Sequence, residues 1–114
     1  MVIPSTGIVV LVKFPFSDLS NSKLRPALVI ADAGRGDWIL CQITSNPYGD
    51  ISSVEILQSD FQKGSLRITS YVRPSKLFTA SSDLMVSEVG TLKNIAFEKI
   101  VTAIVSIIKS GLHK

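Results

Sequence analysis

Apolar residues in this chain fall into short unbroken runs separated by turn-forming punctuation, and near the C-terminus the period changes. Residues 7–12, Gly-Ile-Val-Val-Leu-Val, predict a strand covered on both faces that ends near Lys13. Pro15 stops that ladder, and Phe14 and Phe16 flank it, at least one of them packing into the body. Residues 17–23 are dense in Ser, Asn and Asp and predict a loop. Residues 27–31 form a second apolar run. Pro26 cannot donate to a ladder and is expected at that strand's first position, so Arg25 stands where loop becomes sheet. Residues 32–37 predict a turn and residues 38–43 a third strand, the two runs forming a hairpin. A short strand is expected over 53–57, with Val54 and Ile56 on one face, and a loop over 60–65. Leu66, Ile68, Ser70 and Val72 alternate with Arg67, Thr69, Tyr71 and Arg73, which predicts a half-buried strand. A short final strand follows Pro74 at 76–79.

From residue 94 the spacing becomes helical. Asn94 is a suitable N-cap, and Phe97, Ile100, Val101, Ile104, Ile107 and Ile108 make a core-facing stripe that Gly111 ends. Several short strands and one terminal helix predict a mainly β fold, a small antiparallel barrel with a C-terminal α-helix, in one domain over 1–114.

Composition narrows the chemistry. Of 114 residues, 46% are hydrophobic and 18% charged, which suits a packed globular chain. The net charge of +3 permits an anionic partner without demanding one. Cys41 is the only cysteine and lies in an apolar run, where a small core residue is expected rather than a nucleophile. His113 is the only histidine and sits at the tail. These counts exclude an internal disulfide, a Ser-His-Asp triad in the body, a Cys/His zinc site and a two-histidine ribonuclease mechanism. No basic segment precedes the first apolar residues and no apolar run reaches a membrane span, so no signal peptide and no membrane association are expected, and the default location is the cytoplasm.

Three polar strand ends remain. Arg25 begins one strand. Thr44, Ser45 and Asn46 end another before Pro47. Arg73, Ser75 and Lys76 surround Pro74. Singly, each has a plain alternative: a rim arginine in a surface ion pair, or hydroxyls that satisfy a turn backbone. In a small twisted barrel, however, strand ends gather at one rim. A shared rim would hold two guanidiniums, a lysine and several hydroxyls, a set suited to phosphodiester oxygens, with nearby aromatics free to stack bases.

The ordered segments Gly7–Phe16, Arg25-Pro26-Ala27-Leu28-Val29-Ile30, Ile43-Thr44-Ser45, Ser70-Tyr71-Val72-Arg73-Pro74 and Val89-Gly90-Thr91-Leu92 resemble the PemK/MazF (Kid) toxins of bacterial type II toxin–antitoxin pairs. The resemblance covers nearly the whole chain. It implies an SH3-like barrel of the CcdB/MazF type with a C-terminal helix, a homodimer, and metal-independent, cofactor-free cleavage of single-stranded RNA by 2′-hydroxyl attack. It also implies a cognate antitoxin with a flexible, acidic tail, with which such toxins bind DNA. Arg25 and Thr44 match the family's catalytic arginine and threonine, and Arg73 matches a late arginine implicated in some members. Lys13, Phe16, Ser20, Lys23, Ser45, Asn46, Ser75 and Lys76 are then expected along the RNA path. The family's acids have no counterpart here: Ile8, Lys13 and Ser75 occupy three of their positions, and Ser20 and Asn21 stand in the loop before Arg25. A non-catalytic module on the same barrel, binding RNA or poisoning a protein such as gyrase, is the alternative.

Overall fold

A computed structural model describes residues 2–14 and 23–113. Among these residues seven strands form one antiparallel sheet: β1 (Ile8–Phe14), β2 (Lys23–Gly34), β3 (Asp37–Thr44), β4 (Val54–Ile56), β5 (Phe61–Gly64), β6 (Ser70–Ser81) and β7 (Met85–Leu92). One α-helix, α1 (Asn94–Ser110), follows. The sheet order is β4-β6-β3-β2-β1-β7-β5. Its two edge strands, β4 and β5, are consecutive in the chain and joined only by residues 57–60. So short a link draws the edges together, and the curled sheet becomes the expected barrel. Asp60 anchors the link: its carboxylate accepts the Leu57 N–H at 2.8 Å, and its carbonyl accepts the Lys93 N–H at 2.8 Å.

The unbroken apolar runs are buried on both faces, as their pattern predicted. On β1, Val9 joins one core with Leu28, Cys41, Ile43, Val72 and Leu92, while Val10 and Val12 join another with Ala27, Val29 and Leu40. Helix α1 closes the first core with Ala96, Ile100 and Ile104. The β2–β3 hairpin turns on Arg35 and Gly36, both at positive φ (57° and 82°), the geometry whose twist matches its strands.

The structure corrects several expectations. Pro26 is not the first residue of its strand: β2 begins at Lys23, and Pro26 pairs with Leu11. Its missing N–H is tolerated because the β2–β3 ladder ends one residue earlier, at Ala27 opposite Gln42. The expected loop at 60–65 contains β5, which pairs with β7. The alternating stretch 66–72 is mostly not strand, since β6 starts at Ser70 and runs unbroken through Pro74 to Ser81, absorbing the separate strand expected at 76–79. Pro74 is accommodated by a bulge. Val72 pairs with Ile43 and Leu77 with Cys41, so residues 73–76 face Gln42 alone. Strand β7 had no apolar pattern to announce it. Lys93 rather than Asn94 occupies the cap position of α1, without a side-chain cap, and Ile108 at the end of the stripe is 64% exposed.

Candidate nucleic-acid interface

Strand register builds the site. The last β2–β3 pair is Ala27 with Gln42, so two residues further along each strand Arg25 comes opposite Thr44. Both residues line one groove of about 270 Å³, with Leu24, Pro26, Ile43, Ser45, Leu66, Ile68 and Ser70. Arg25 is exposed and makes no ion pair among the described residues. The plain alternative of a rim arginine in a surface ion pair is not what these residues form.

Thr44 is engaged locally. Its hydroxyl donates to the Asn46 carbonyl at 3.0 Å, and its oxygen accepts the Asn46 N–H at 3.1 Å. The Asn46 side chain accepts the Tyr48 N–H at 3.0 Å, which holds Tyr48 at φ 51°. The turn-satisfying role weighed for Thr44 is therefore real. It leaves the oxygen one further lone pair, with its proton already committed.

Arg73 does not line this groove. Across β3, Tyr71 pairs with Thr44, and Ser70, Val72 and Pro74 are buried while Tyr71 and Arg73 alternate outward. Arg73 thus lies on the Thr44 side of β6, two residues further along. Its Nε donates to Asp50 Oδ2 at 3.0 Å. The pairing of this carboxylate with Arg73 is the feature the sequence reasoning missed. Asp50 lies 23 residues before Arg73 in a turn-rich loop, and no local pattern links the two. Hydrogen bonds from the Ser52 hydroxyl, then from Arg73, hold its carboxyl below the usual carboxylate range.

Of the other expected contacts only Ser45 lines the groove; Lys13, Lys23, Asn46, Ser75 and Lys76 do not. Lys13 pairs with Leu24 and Lys23 with Phe14 at the β1–β2 end, both lysines exposed. Phe14 packs on Phe78, ring centroids 4.8 Å apart, so the packing role falls to Phe14. Ser75 and Lys76 are exposed in the β6 bulge, and Ser45 and Asn46 are exposed after β3. Phe16 and Ser20 lie outside the described residues. Among the groove-lining residues none is a carboxylate or an imidazole. Cys41 is buried, and its thiol donates to the Arg73 carbonyl at 2.9 Å.

The sequence profile of the PemK-like, MazF-like toxins of type II toxin–antitoxin systems matches residues 5–108. The chain belongs to this family. No curated protein sequence matches it. Solved structures share its fold: MazF from Deinococcus radiodurans is 18% identical, with a TM-score of 0.73 over 95% of this chain and 98% of that one. A MazE–MazF complex from the same organism gives 17%, a TM-score of 0.75, and coverage of 94% and 97%. An endoribonuclease in complex with its cognate antitoxin from a mycobacterial species gives 19%, a TM-score of 0.72, and coverage of 93% and 95%. No helix among the described residues is long and apolar enough to cross a membrane.

Proposed function

We propose that this chain is the toxin of a toxin–antitoxin pair, a sequence-selective and metal-independent endoribonuclease that cuts single-stranded RNA. One observation carries the reading: Arg25 and Thr44, far apart in sequence and matched to the family's catalytic pair, line the same groove. The ribose 2′-oxygen attacks the adjacent phosphorus, the bond to the 5′-oxygen breaks, and the 2′-hydroxyl proton passes to solvent water. The departing oxygen takes up a proton, leaving a cyclic phosphate and a free 5′-hydroxyl. Thr44, with its proton held by Asn46, acts as an acceptor and orients the 2′-hydroxyl rather than donating to the phosphate. Arg25 stabilises the negative charge that develops on the phosphate oxygens. Arg73 supplies a second positive contact. Catalysis on this account is mostly positioning and charge stabilisation, since among the described residues the groove offers no carboxylate base.

The partner we propose is an antitoxin whose acidic, flexible tail lies in the groove and replaces RNA phosphates there. Relatives of the same fold have been solved with MazE or a cognate antitoxin. The test is digestion of mixed-sequence single-stranded RNA in EDTA with end mapping. Fragments ending in cyclic phosphate and 5′-hydroxyl are expected, and Arg25→Ala should slow cleavage on the order of a hundredfold or more. Intact RNA at high enzyme excess would sink the nuclease reading. It would favour a non-catalytic binding module on the same barrel.

A further inference from the structure

Two independent tethers converge on Arg73. Its backbone carbonyl accepts the thiol proton of Cys41 on β3, which ties the start of the β6 bulge to the core. Its side chain is gripped from the other side by Asp50 through Nε alone. The terminal guanidinium nitrogens take no acceptor among the described residues, and the side chain is still 21% exposed. Asp50 is itself rigidly mounted. Its N–H donates to the Pro47 carbonyl at 2.9 Å, its carbonyl accepts the Ser53 N–H at 3.2 Å, and Oδ1 accepts both the Ser52 N–H at 3.0 Å and the Ser52 hydroxyl at 2.6 Å.

We propose that Asp50 is a positioning residue, whose carboxylate holds Arg73 by Nε and presents the terminal guanidinium edge to a phosphate of single-stranded RNA. The inference rests on the ribonuclease reading and adds to it an acid from a loop where the family resemblance supplies none. Both oxygens of Asp50 are occupied by donors and the carboxyl is held as an anion, so it is a poor proton acceptor and no general base. What remains is geometry: an arginine fixed before the substrate arrives loses less conformational freedom on meeting a phosphate. The charge arithmetic gives the clamp a signature. Asp50 cancels one positive charge beside the RNA path, so removing it strengthens the general attraction for RNA while releasing Arg73 from its orientation.

The experiment compares the wild type with Asp50→Ala, Asp50→Glu, Arg73→Ala and the Asp50→Ala/Arg73→Ala double variant. Cleavage is followed on a fluorogenic single-stranded oligoribonucleotide, and the Arg73 Nε–H resonance by NMR. For Asp50→Ala we expect KM unchanged or lower with kcat reduced roughly tenfold. Asp50→Glu should recover part of that loss, and the Asp50 effect should vanish when Arg73 is already alanine. The Nε–H proton should exchange slowly with water in the wild type and rapidly in Asp50→Ala. Unchanged kcat, a rise in KM alone, or additive losses in the double variant would overturn the proposal. Should Asp50→Ala fail to fold, Asp50→Ser takes its place with the same expectations, since its shorter side chain still offers an acceptor to the Ser52 N–H but withdraws the oxygen that holds Nε. If the wild type cuts no RNA, the ribonuclease reading falls and the clamp is judged on the Nε–H proton alone. Slow exchange that depends on Asp50 then supports it, and equal exchange in both proteins overturns it.

Discussion

At the scale of single residues, environment decides chemistry more than side-chain type. Cys41 is fully buried, and desolvation pushes its thiol up from 9.0 to about 12 against the smaller opposing effect of its bond to Arg73. A raised thiol pKa gives stability that is present below 9.0 and is lost progressively as pH rises toward about 12, because the unfolded chain releases its proton first. Two outcomes follow for one measurement series. Iodoacetamide at pH 8 should leave native Cys41 unmodified and alkylate it quickly in denaturant. Denaturation midpoints should fall between pH 9 and 11, less steeply in Cys41→Ala. Rapid labelling of the native protein would contradict the burial argument. The expectation that Cys41 is a core residue needed only its apolar neighbours. Its bond to Arg73, 32 positions away, needed the fold.

At the scale of elements, legibility follows how much side-chain burial each one carries. Helix α1 buries Ala96, Ile100 and Ile104 at helical spacing, and β1 to β3 bury long apolar runs, so their patterns are plain in the sequence. Strand β5 buries only Phe61, and β7 places Gly90 among its buried positions, so neither has a pattern to read. Backbone proximity explains the glycines. Gly64 pairs with Gly90, and a Cβ on Gly90 would approach the Lys63 carbonyl oxygen to 2.5 Å and the Phe61 ring to 2.9 Å. Gly64, at φ 74°, would push a Cβ into the Val89 carbonyl. Gly90→Ala should therefore cost about 2 kcal/mol or more through overpacking where β5 closes on β7. Urea denaturation checks this, and a midpoint equal to the wild type would refute it. The same contact gives a physical reason for the glycine in Val89-Gly90-Thr91-Leu92.

At the scale of the whole molecule, the charge is modest but unevenly committed. Lys13, Lys23, Arg25 and Lys76 are exposed, whereas Arg73 shares its charge with Asp50. On the proposed function, about four free cations contact the RNA path. The log–log dependence of affinity on salt should then have a slope of roughly −3, from about −0.7 per phosphate on a single strand. Fluorescence anisotropy between low and physiological salt measures it, and a flat response would mean that these side chains do not meet phosphate.

What the sequence determined by itself was local: which runs must be buried, where the period changes from strand to helix, and which polar residues flank the apolar runs. Those features follow from the preferences of neighbouring side chains, so Arg25, Thr44 and Arg73 could be singled out with their segments. Which of them meet was decided only by the tertiary structure. Register two residues beyond the last β2–β3 pair joins Arg25 to Thr44. A bulge of residues 73–76 against Gln42 sets Arg73 beside Asp50 instead of in the groove. Bulges and closing edges depend on backbone pairing between distant segments, and the identity of a residue carries almost no trace of its partner across the sheet.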